Sequence, residues 1–298
     1  MQLHLNNTRR ELKSHGSYVF PFHTSHEILS SYERGSFSWH WHPEIELTLF
    51  LSGEMEYQVN DRIYHMKAGD GLFCNANALH TGRMIHGHDC HYFSITFLPR
   101  LISGFEDSLI YTRFLEPVLT SARLSSVSFS PSVPWEEEGI RCLKQILLLS
   151  RHPSPVYEME IQQTLSSFWQ LLFLNQNTAL QPAARETIRD TERLRTILEY
   201  LHTHYQEKIT LETLARQVSI SRSECCRFFR NHMKISLFDY LLDYRVEKSL
   251  PLLRETDLSI TQIAGQTGFG SSAYYAKVFK NEMGISPSQY RKNQKNQP

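Results

Sequence analysis

The chain has 298 residues, with 31 Lys and Arg against 31 Asp and Glu, so its formal net charge is zero with histidine neutral. Taken whole, that balance excludes a strongly basic nucleic-acid coat and an acidic solvating tail. The zero is a cancellation: residues 1–184 carry 13 basic and 18 acidic side chains, a net of −5, and residues 185–298 carry 18 and 13, a net of +5. Such asymmetry points to a nucleic-acid partner for the second part only. Histidine splits the other way, with twelve of the 15 in residues 1–184. The length predicts about two domains at roughly 150 residues each. A hydrophobic content of 41% supports packed cores and is too high for a disordered chain.

The five cysteines, Cys74, Cys90, Cys142, Cys225 and Cys226, are odd in number and form no C-x-x-C. That argues against a disulfide framework or a zinc finger and fits a reducing compartment. Residues 1–16 are polar and lack an apolar signal core. Apolar runs such as Ile146–Leu149 and Leu171–Leu174 fall far short of the ~20 residues of a membrane span. The expectation is a cytoplasmic protein without a membrane partner.

Residues 17–98 read as short strands. Glu46–Leu51, Met55–Val59, Gly71–Cys74 and Tyr92–Phe97 combine apolar runs with polar alternation and Gly, Asn or Asp punctuation. Val59-Asn60-Asp61-Arg62-Ile63 predicts a tight hairpin, because Asn and Asp tolerate positive φ. Many closely spaced strands predict a β-sandwich or barrel. Within this stretch His40, His42 and Glu46 keep one parity, which on a strand places all three on one face. Glu44 shares it, Trp39 and Trp41 take the opposite one as packing residues, and His86 and His88 fall in a Gly-containing loop.

Gly35, His40, His42, Glu46 and Gly53 resemble the first cupin motif, G-x(4–5)-H-x-H-x(3)-E-x(6)-G. Gly69 and His80 match the second, G-x(5)-P-x-G-x(2)-H, although Asn75 and Asn77 replace its Pro and Gly. The terminal Asn of that motif falls on Met84. The resemblance covers residues 17–98 and implies a jelly-roll barrel with an interior site. His40, His42, Glu44, Glu46 and His80 are then candidates for holding an effector. Three histidines and one glutamate, His40, His42, His80 and Glu46, also suit a divalent transition metal. The alternative for the same residues is a metal-free pocket for an organic effector.

Helical spacing follows at 104–119, 136–150 and 157–175. The last carries Ile161, Leu165, Phe168, Leu171 and Leu172, a stripe that must be buried against the barrel or a second subunit. Residues 176–191 are polar, contain Pro and read as a linker. Helical patterning then continues to the end.

That final part contains an internal repeat. Leu214-Ala215-Arg216-Gln217 corresponds to Ile263-Ala264-Gly265-Gln266 at an offset of 49; at an offset of 50, Phe229-Arg230 corresponds to Phe279-Lys280, and Ile235-Ser236 and Tyr240 recur. Each unit reads helix, turn, helix. Thr210 and Ser259 are N-cap candidates, and Ser221-x-x-Glu224 and Ser259-x-x-Gln262 are capping-box patterns. Gly268 supplies a tight interhelical corner, Ala215 and Ala264 permit close crossing, and Ile220 and Phe269 plug the corner. The second helices, about 221–232 and 271–283, are the ones such a motif places in the major groove. They carry Arg222, Arg227, Arg230, Lys277 and Lys280. One helix over 237–254 joins the units and spans about 27 Å at 1.5 Å per residue, of the order of the ~34 Å between successive major grooves on one face of DNA. Pro251 is expected to kink it or weaken one turn.

Residues 192–292 resemble the DNA-binding domain of the AraC/XylS family of bacterial transcription regulators, most strongly in SITQIAGQTGFGSSAYYAKVFKNEMGISPSQYR, Ser259–Arg291. The first unit departs at Lys234, where the second has Gly284, and at the adjacent Cys225 and Cys226. The resemblance implies base-facing positions at Ser223, Cys226 and Arg227 in the first helix and at Ser272, Ala273 and Lys277 in the second, with Ser271 beside them. Arg227 is the leading candidate because a guanidinium can bond guanine O6 and N7 together.

The expected fold is therefore two-domain. An all-β cupin or jelly-roll barrel (17–98) with following helices (104–175) forms an effector-binding and dimerisation domain over 1–175. A linker spans 176–191, and an all-α domain of two helix-turn-helix units occupies 192–298. The expected function is a ligand-responsive, sequence-specific regulator of transcription. The resemblance implies an activator of carbohydrate or other small-molecule metabolism genes, binding double-stranded DNA as a homodimer and acting on RNA polymerase. In the family, effector barrels often hold a sugar without a metal. The competing expectation is a metal-dependent cupin enzyme fused to a DNA-binding domain. It has the four ligands but no identifiable acid, base or substrate clamp beside them.

Overall fold

The computed structural model describes residues 3–6, 9–105, 107–121, 123–176, 185–233 and 235–295. The chain divides into two compact units, Met1–Arg189 and Asp190–Pro298.

The first unit is built on eight strands: β1 (Phe22–Ile28), β2 (Ser36–His40), β3 (Ile45–Val59), β4 (Arg62–Lys67), β5 (Gly71–Cys74), β6 (His80–Met84), β7 (Cys90–Phe97) and β8 (Ser126–Phe129). One face has the order β1-β7-β3-β5-β8. The other is made by β2, β6, β3 and β4, so β3 belongs to both. The sequence reading split β3 into two short strands. It is one 15-residue strand whose first part pairs with β5 and β7 and whose second part pairs with β4 and β6.

The register of β3 against β7 slips between Phe50 and Ser52, and such a bulge bends a strand and changes which side its residues face. Before it, Ile45, Leu47 and Leu49 lie in the core shared with the helices. Phe50 and, beyond the bend, Met55, Tyr57 and Val59 fill the barrel interior. Gly53 sits at the bend with φ +74°, and a Cβ there would lie 1.9 Å from the Asp89 carbonyl oxygen. Only glycine fits that approach. The hairpin at Asn60 and Asp61 forms as expected, with Asn60 at φ +50°.

Beyond the strands expected over 17–98, β8 adds to the edge of β5. A short α1 (Arg100–Ser103) precedes the helical stretch expected at 104–119, of which residues 109–119 run continuously helical, through a π-helical turn (Tyr111–Leu115) into α2 (Glu116–Leu119). Two full helices follow, α3 (Pro134–Arg151) and α4 (Tyr157–Asn175). The structure decides where the α4 stripe is buried: Ile161, Leu165, Phe168 and Leu172 share one core with Ile140, Leu143 and Ile146 of α3 and the outer residues of β3 and β7. Leu171 is half-buried.

Helix α5 (Arg185–His204) begins inside the stretch expected as linker, so residues 185–191 are helical; 177–184 lie outside the described residues. The second unit continues with α6 (Leu211–Gln217), α7 (Arg222–Met233), α8 (Leu237–Glu255), α9 (Ile260–Gln266), α10 (Ser272–Met283) and α11 (Pro287–Lys295). The pairs α6–α7 and α9–α10 are the two helix-turn-helix units. α8 joins them and runs on through Pro251. Its buried residues Val246, Leu250 and Leu253 meet Ile263, Ala264, Phe269, Tyr275 and Phe279 in the core of the second unit.

Leu165 is fully buried, so Leu165→Ala removes packed methyl groups and leaves a cavity. The expected loss is about 2–5 kcal/mol, read as an urea-unfolding midpoint that falls equally at low and high protein concentration. A loss confined to low concentration would place the stripe at a subunit contact instead.

Candidate functional site

His40, His42, Glu46 and His80 converge inside the barrel, at 5%, 3%, 7% and 1% exposure. The first three do not share one strand, contrary to the expectation from their parity. β2 ends at His40 and β3 begins at Ile45, with His42 and Glu44 in the connection. His80 arrives from β6, paired directly with His40. Asn77 takes φ +61° where the motif has glycine, a conformation asparagine tolerates, and its N–H donates to the His42 carbonyl oxygen at 2.8 Å. Asn75 donates its amide to the carbonyl oxygens of Val118 and Leu124, tying this loop to the region before β8.

The hydrogen bonds orient all three rings alike. Nδ1 of His40, His42 and His80 lies 3.0, 3.1 and 2.9 Å from the carbonyl oxygens of Ser38, Glu44 and Ala78. A carbonyl only accepts, so each Nδ1 carries a proton; neutral His40 and His80 then present their Nε2 lone pairs inward, whereas His42 Nε2 donates to the Glu46 carboxylate. Backbone carbonyls fix metal-binding histidines in this way. Glu46 Oε2 lies 3.2 Å from His42 Nε2 and 3.8 Å from His80 Nε2. Its Oε1 accepts from Thr48 and Tyr57 hydroxyls, each at 3.1 Å. His80 Nε2 is buried with no hydrogen-bond partner. The donor atoms of His40, His42 and His80 all lie within 4.8 Å of one another. These residues fit a divalent transition ion that takes the place of the His42 Nε2 proton: three imidazoles, one carboxylate and an unsatisfied buried lone pair on His80.

Sequence reasoning missed two members. Residues 9–11 run beside Trp41, with Trp41 N–H donating to the Arg9 carbonyl oxygen at 3.0 Å and Glu11 N–H to that of Trp41 at 2.9 Å. This places Glu11 Oε2 3.8 Å from His40 Nε2 and 3.6 Å from His15 Nε2. Glu44 Oε2 faces His15 Nδ1 and His42 Nδ1, both at 3.5 Å. Residues 9–15 form no helix or strand longer than a bridge, so no periodicity marked Glu11 or His15. A cavity of about 260 Å³ adjoins the cluster, lined by Glu11, His15, His23, His40, Glu46 and Tyr57 among others. Trp41 turns elsewhere, under the Arg10 guanidinium at 5.8 Å. His86 and His88 form an exposed turn, as expected.

Charge is distributed unevenly through the cluster. Burial pushes the His80 imidazole down to about 4, against the attraction of Glu46. Burial and the neighbouring His80 and His42 charges hold His40 well below its ordinary value. Burial also opposes ionisation of His42 and Glu46, but their mutual hydrogen bond and attraction win, raising His42 and lowering Glu46.

In the second unit the expected caps are formed. Thr210 accepts from Thr213 N–H, Ser221 from Glu224 N–H at 3.2 Å, and Ser259 and Gln262 make a complete capping box. Gly268 takes φ +82° at the second corner, and a Cβ there would lie 2.3 Å from the Tyr205 carbonyl oxygen. Ser219, its counterpart in the first unit, takes φ +54°. Phe269 is buried, whereas Ile220 is only half-buried. On α7, Ser223, Cys226, Arg227 and Arg230 are all exposed at i, i+3, i+4 and i+7, which places them on one face, with Arg222 exposed beside them. Cys225 is buried. On α10, Ala273, Lys277 and Lys280 are exposed with the same spacing. Ser272 is half-buried, and the Ser271 hydroxyl caps α10 by accepting from Tyr274 N–H at 3.2 Å. Lys234 lies outside the described residues.

The buried neutral His80 predicts acid sensitivity in the metal-free protein. Its folded pKa lies below the unfolded value of about 6.5, so the unfolded chain takes up the proton first, and stability falls as pH drops from about 6.5 to about 4. His42, raised on folding, takes up its proton first in the folded chain and so offsets part of the slope at the upper end of that window. Chemical unfolding of chelator-treated protein should show this decline, and His80→Gln should make it shallower without removing it, because buried His40 is held low in the same sense. An equally steep decline in His80→Gln would assign the proton elsewhere.

Both parts of the chain resemble known proteins. The profile of the AraC-like ligand binding domain matches residues 28–198, and a helix-turn-helix domain profile matches 214–293. The chain is 30% identical over 288 residues, 97% of each chain, to the HTH-type transcriptional regulator YdeC of Bacillus subtilis. It is 23% identical over 268 residues, 89% of this chain and 90% of the other, to the HTH-type transcriptional activator RhaR of Cronobacter sakazakii. Among solved structures, the DNA-binding domain of AdpA in complex with a target DNA is 30% identical and covers 34% of this chain and 91% of that one, with a TM-score of 0.33. Among the described residues no helix is long and apolar enough to cross a membrane. A ligand-binding barrel and a pair of helix-turn-helix units in one chain make this protein a transcription regulator, and it belongs to the AraC family.

Proposed function

We propose that the barrel and its helices, residues 1–175, receive a small-molecule effector, and that residues 192–298 read double-stranded DNA through α7 and α10. The stretch 176–191 connects them. The exposed face of α7 carries the DNA reading: three arginines and two short polar side chains lie on or beside one helical face, above a buried Cys225 and Phe229 that fix the helix in place. Arg227 contacts a base edge, and Arg222 and Arg230 contact phosphate. On α10 the short Ser272 and Ala273 contribute little base readout, while Lys277 and Lys280 position the protein on the backbone.

In the barrel, His40, His42, His80 and Glu46 hold a divalent transition ion. Such an ion supplies a Lewis-acidic seat for an effector hydroxyl or carboxylate oxygen. The adjoining cavity suits a small polar molecule such as a sugar or a hydroxy acid. Its orphaned His80 nitrogen supports the ion over a purely organic occupant. The effector acts by binding one state of the regulator better than another. The protein works as a homodimer and as an activator that engages RNA polymerase at genes of small-molecule metabolism.

Two measurements test these readings. In gel-shift titrations, Arg227→Ala should lose about 1–3 kcal/mol of discrimination at one base pair, while the native chain's affinity falls steeply with salt through counterion release. Uniform weakening across sequences would move Arg227 to phosphate, and salt-independent binding would overturn the electrostatic reading. Zn²⁺ added to chelator-treated full-length protein at about 100 times its Kd should stabilise the fold by about 2.7 kcal/mol. His40→Ala should abolish most of that gain, and no gain in the native chain would refute the metal site.

A further inference from the structure

His15 stands between two carboxylates and is hydrogen-bonded to neither. Its Nε2 lies 3.6 Å from Glu11 Oε2 and its Nδ1 lies 3.5 Å from Glu44 Oε2. A charge-assisted N–H···O bond is shorter, about 2.7–2.9 Å. Among the described residues, His15 Nδ1 and Glu44 Oε2 are both buried with no hydrogen-bond partner. His15 is 7% exposed. Two unsatisfied buried polar atoms facing each other call for something between them. His42 Nδ1 reaches the same Glu44 oxygen at 3.5 Å, and the donor atoms of His15, His42 and Glu44 lie within 4.8 Å of one another. Ligand atoms held tetrahedrally around one ion at 2.0–2.1 Å lie about 3.3 Å apart. The observed spacings match that edge better than they match a proton bridge.

We propose that the amino-terminal segment builds a second divalent-cation site, outside the inner one, from His15 Nδ1, Glu44 Oε2 and His42 Nδ1. Glu11 acts on it as a positioning residue: its carboxylate faces His15 Nε2, favours the proton there and turns the Nδ1 lone pair toward Glu44. The proposal deepens the inner-site reading because His42 offers one nitrogen to each site. Filling both requires His42 to release two protons to solvent, the Nε2 proton it shares with Glu46 and the Nδ1 proton it donates to the Glu44 carbonyl, so that the imidazolate would bridge the two ions. The outer site uses none of His40, His80 and Glu46. It also gives the segment a ligand-dependent tie to the barrel, since His15 comes from residues before β1 and Glu44 from the connection into β3.

The test is a count of bound ions. Full-length protein is stripped with chelator, loaded with Zn²⁺, passed through gel filtration and analysed for metal per chain. The native protein should carry two ions, His15→Ala one and His80→Ala one. Glu44→Gln, which keeps side-chain volume, should also carry one and guards against a packing defect at His15. Circular dichroism in metal-free buffer must show both outer-site variants folded. Hydrogen exchange supplies a second readout: Zn²⁺ should slow the amides of residues 9–16 in the native chain, and His15→Ala should lose that protection. A single ion in the native chain, unchanged by His15→Ala and lost in His80→Ala, overturns the outer site and leaves the inner one standing. Two ions retained in His15→Ala and Glu44→Gln overturn it as well. Two ions retained in His80→Ala overturn the inner site instead.

Discussion

The bend in β3 is the constraint on which the barrel depends. A straight strand of that length keeps one set of alternate residues on one side. Here the slipped register near Phe50 and the positive-φ Gly53 let a single strand serve two sheets. Its first part sends Ile45, Leu47 and Leu49 toward α3 and α4 and leaves Glu46 and Thr48 facing inward. Its second part returns Tyr57 to the same interior, where its hydroxyl reaches Glu46. The apolar layer outside and the polar site inside are thus two consequences of one strand's geometry. The Gly53 contact with Asp89 holds the bend against the start of β7.

A polar interior of this kind is costly to build. Buried carboxylates and imidazoles lose hydration, and each needs a partner or a change of protonation. The barrel answers with backbone carbonyls on the three Nδ1 atoms and with hydroxyls on Glu46. Among the described residues, the atoms left over in this unit are His80 Nε2, His15 Nδ1, His23 Nε2 and Glu44 Oε2. Unsatisfied groups gathered at one place indicate a ligand site more strongly than the same number scattered through a core would.

The DNA-binding unit repeats one architecture with two different surfaces. Its corners use the same positive-φ turn, once with Gly268 and once with Ser219, so the first corner carries a strain that the second avoids. Beneath each recognition helix lies a matching aromatic anchor, Phe229 or Phe279. Above them the chemistry diverges, with arginines and a cysteine on α7 and alanine and lysines on α10.

Sequence alone determined the local and repetitive features. Helix caps, the Asn60 hairpin and the paired helix-turn-helix units are set by residues within a few positions of one another, and short-range hydrogen bonds and periodicity report on them directly. The opposite charges of the two parts are likewise a property of composition, and they mark the DNA-binding end before any fold is known. His40, His42, Glu46 and His80 were legible because their spacing resembles a known motif, although the strand break at the connection shows that shared parity was not what assembled them. Tertiary structure decided the rest. Whether the α4 stripe met its own barrel or another subunit, where β8 joined the sheet, and which residues closed the site all depend on contacts between distant segments. Glu11 and His15 reach the cluster because two backbone hydrogen bonds lay residues 9–11 beside Trp41. A long-range pairing of that kind leaves no periodic trace in the segment that makes it.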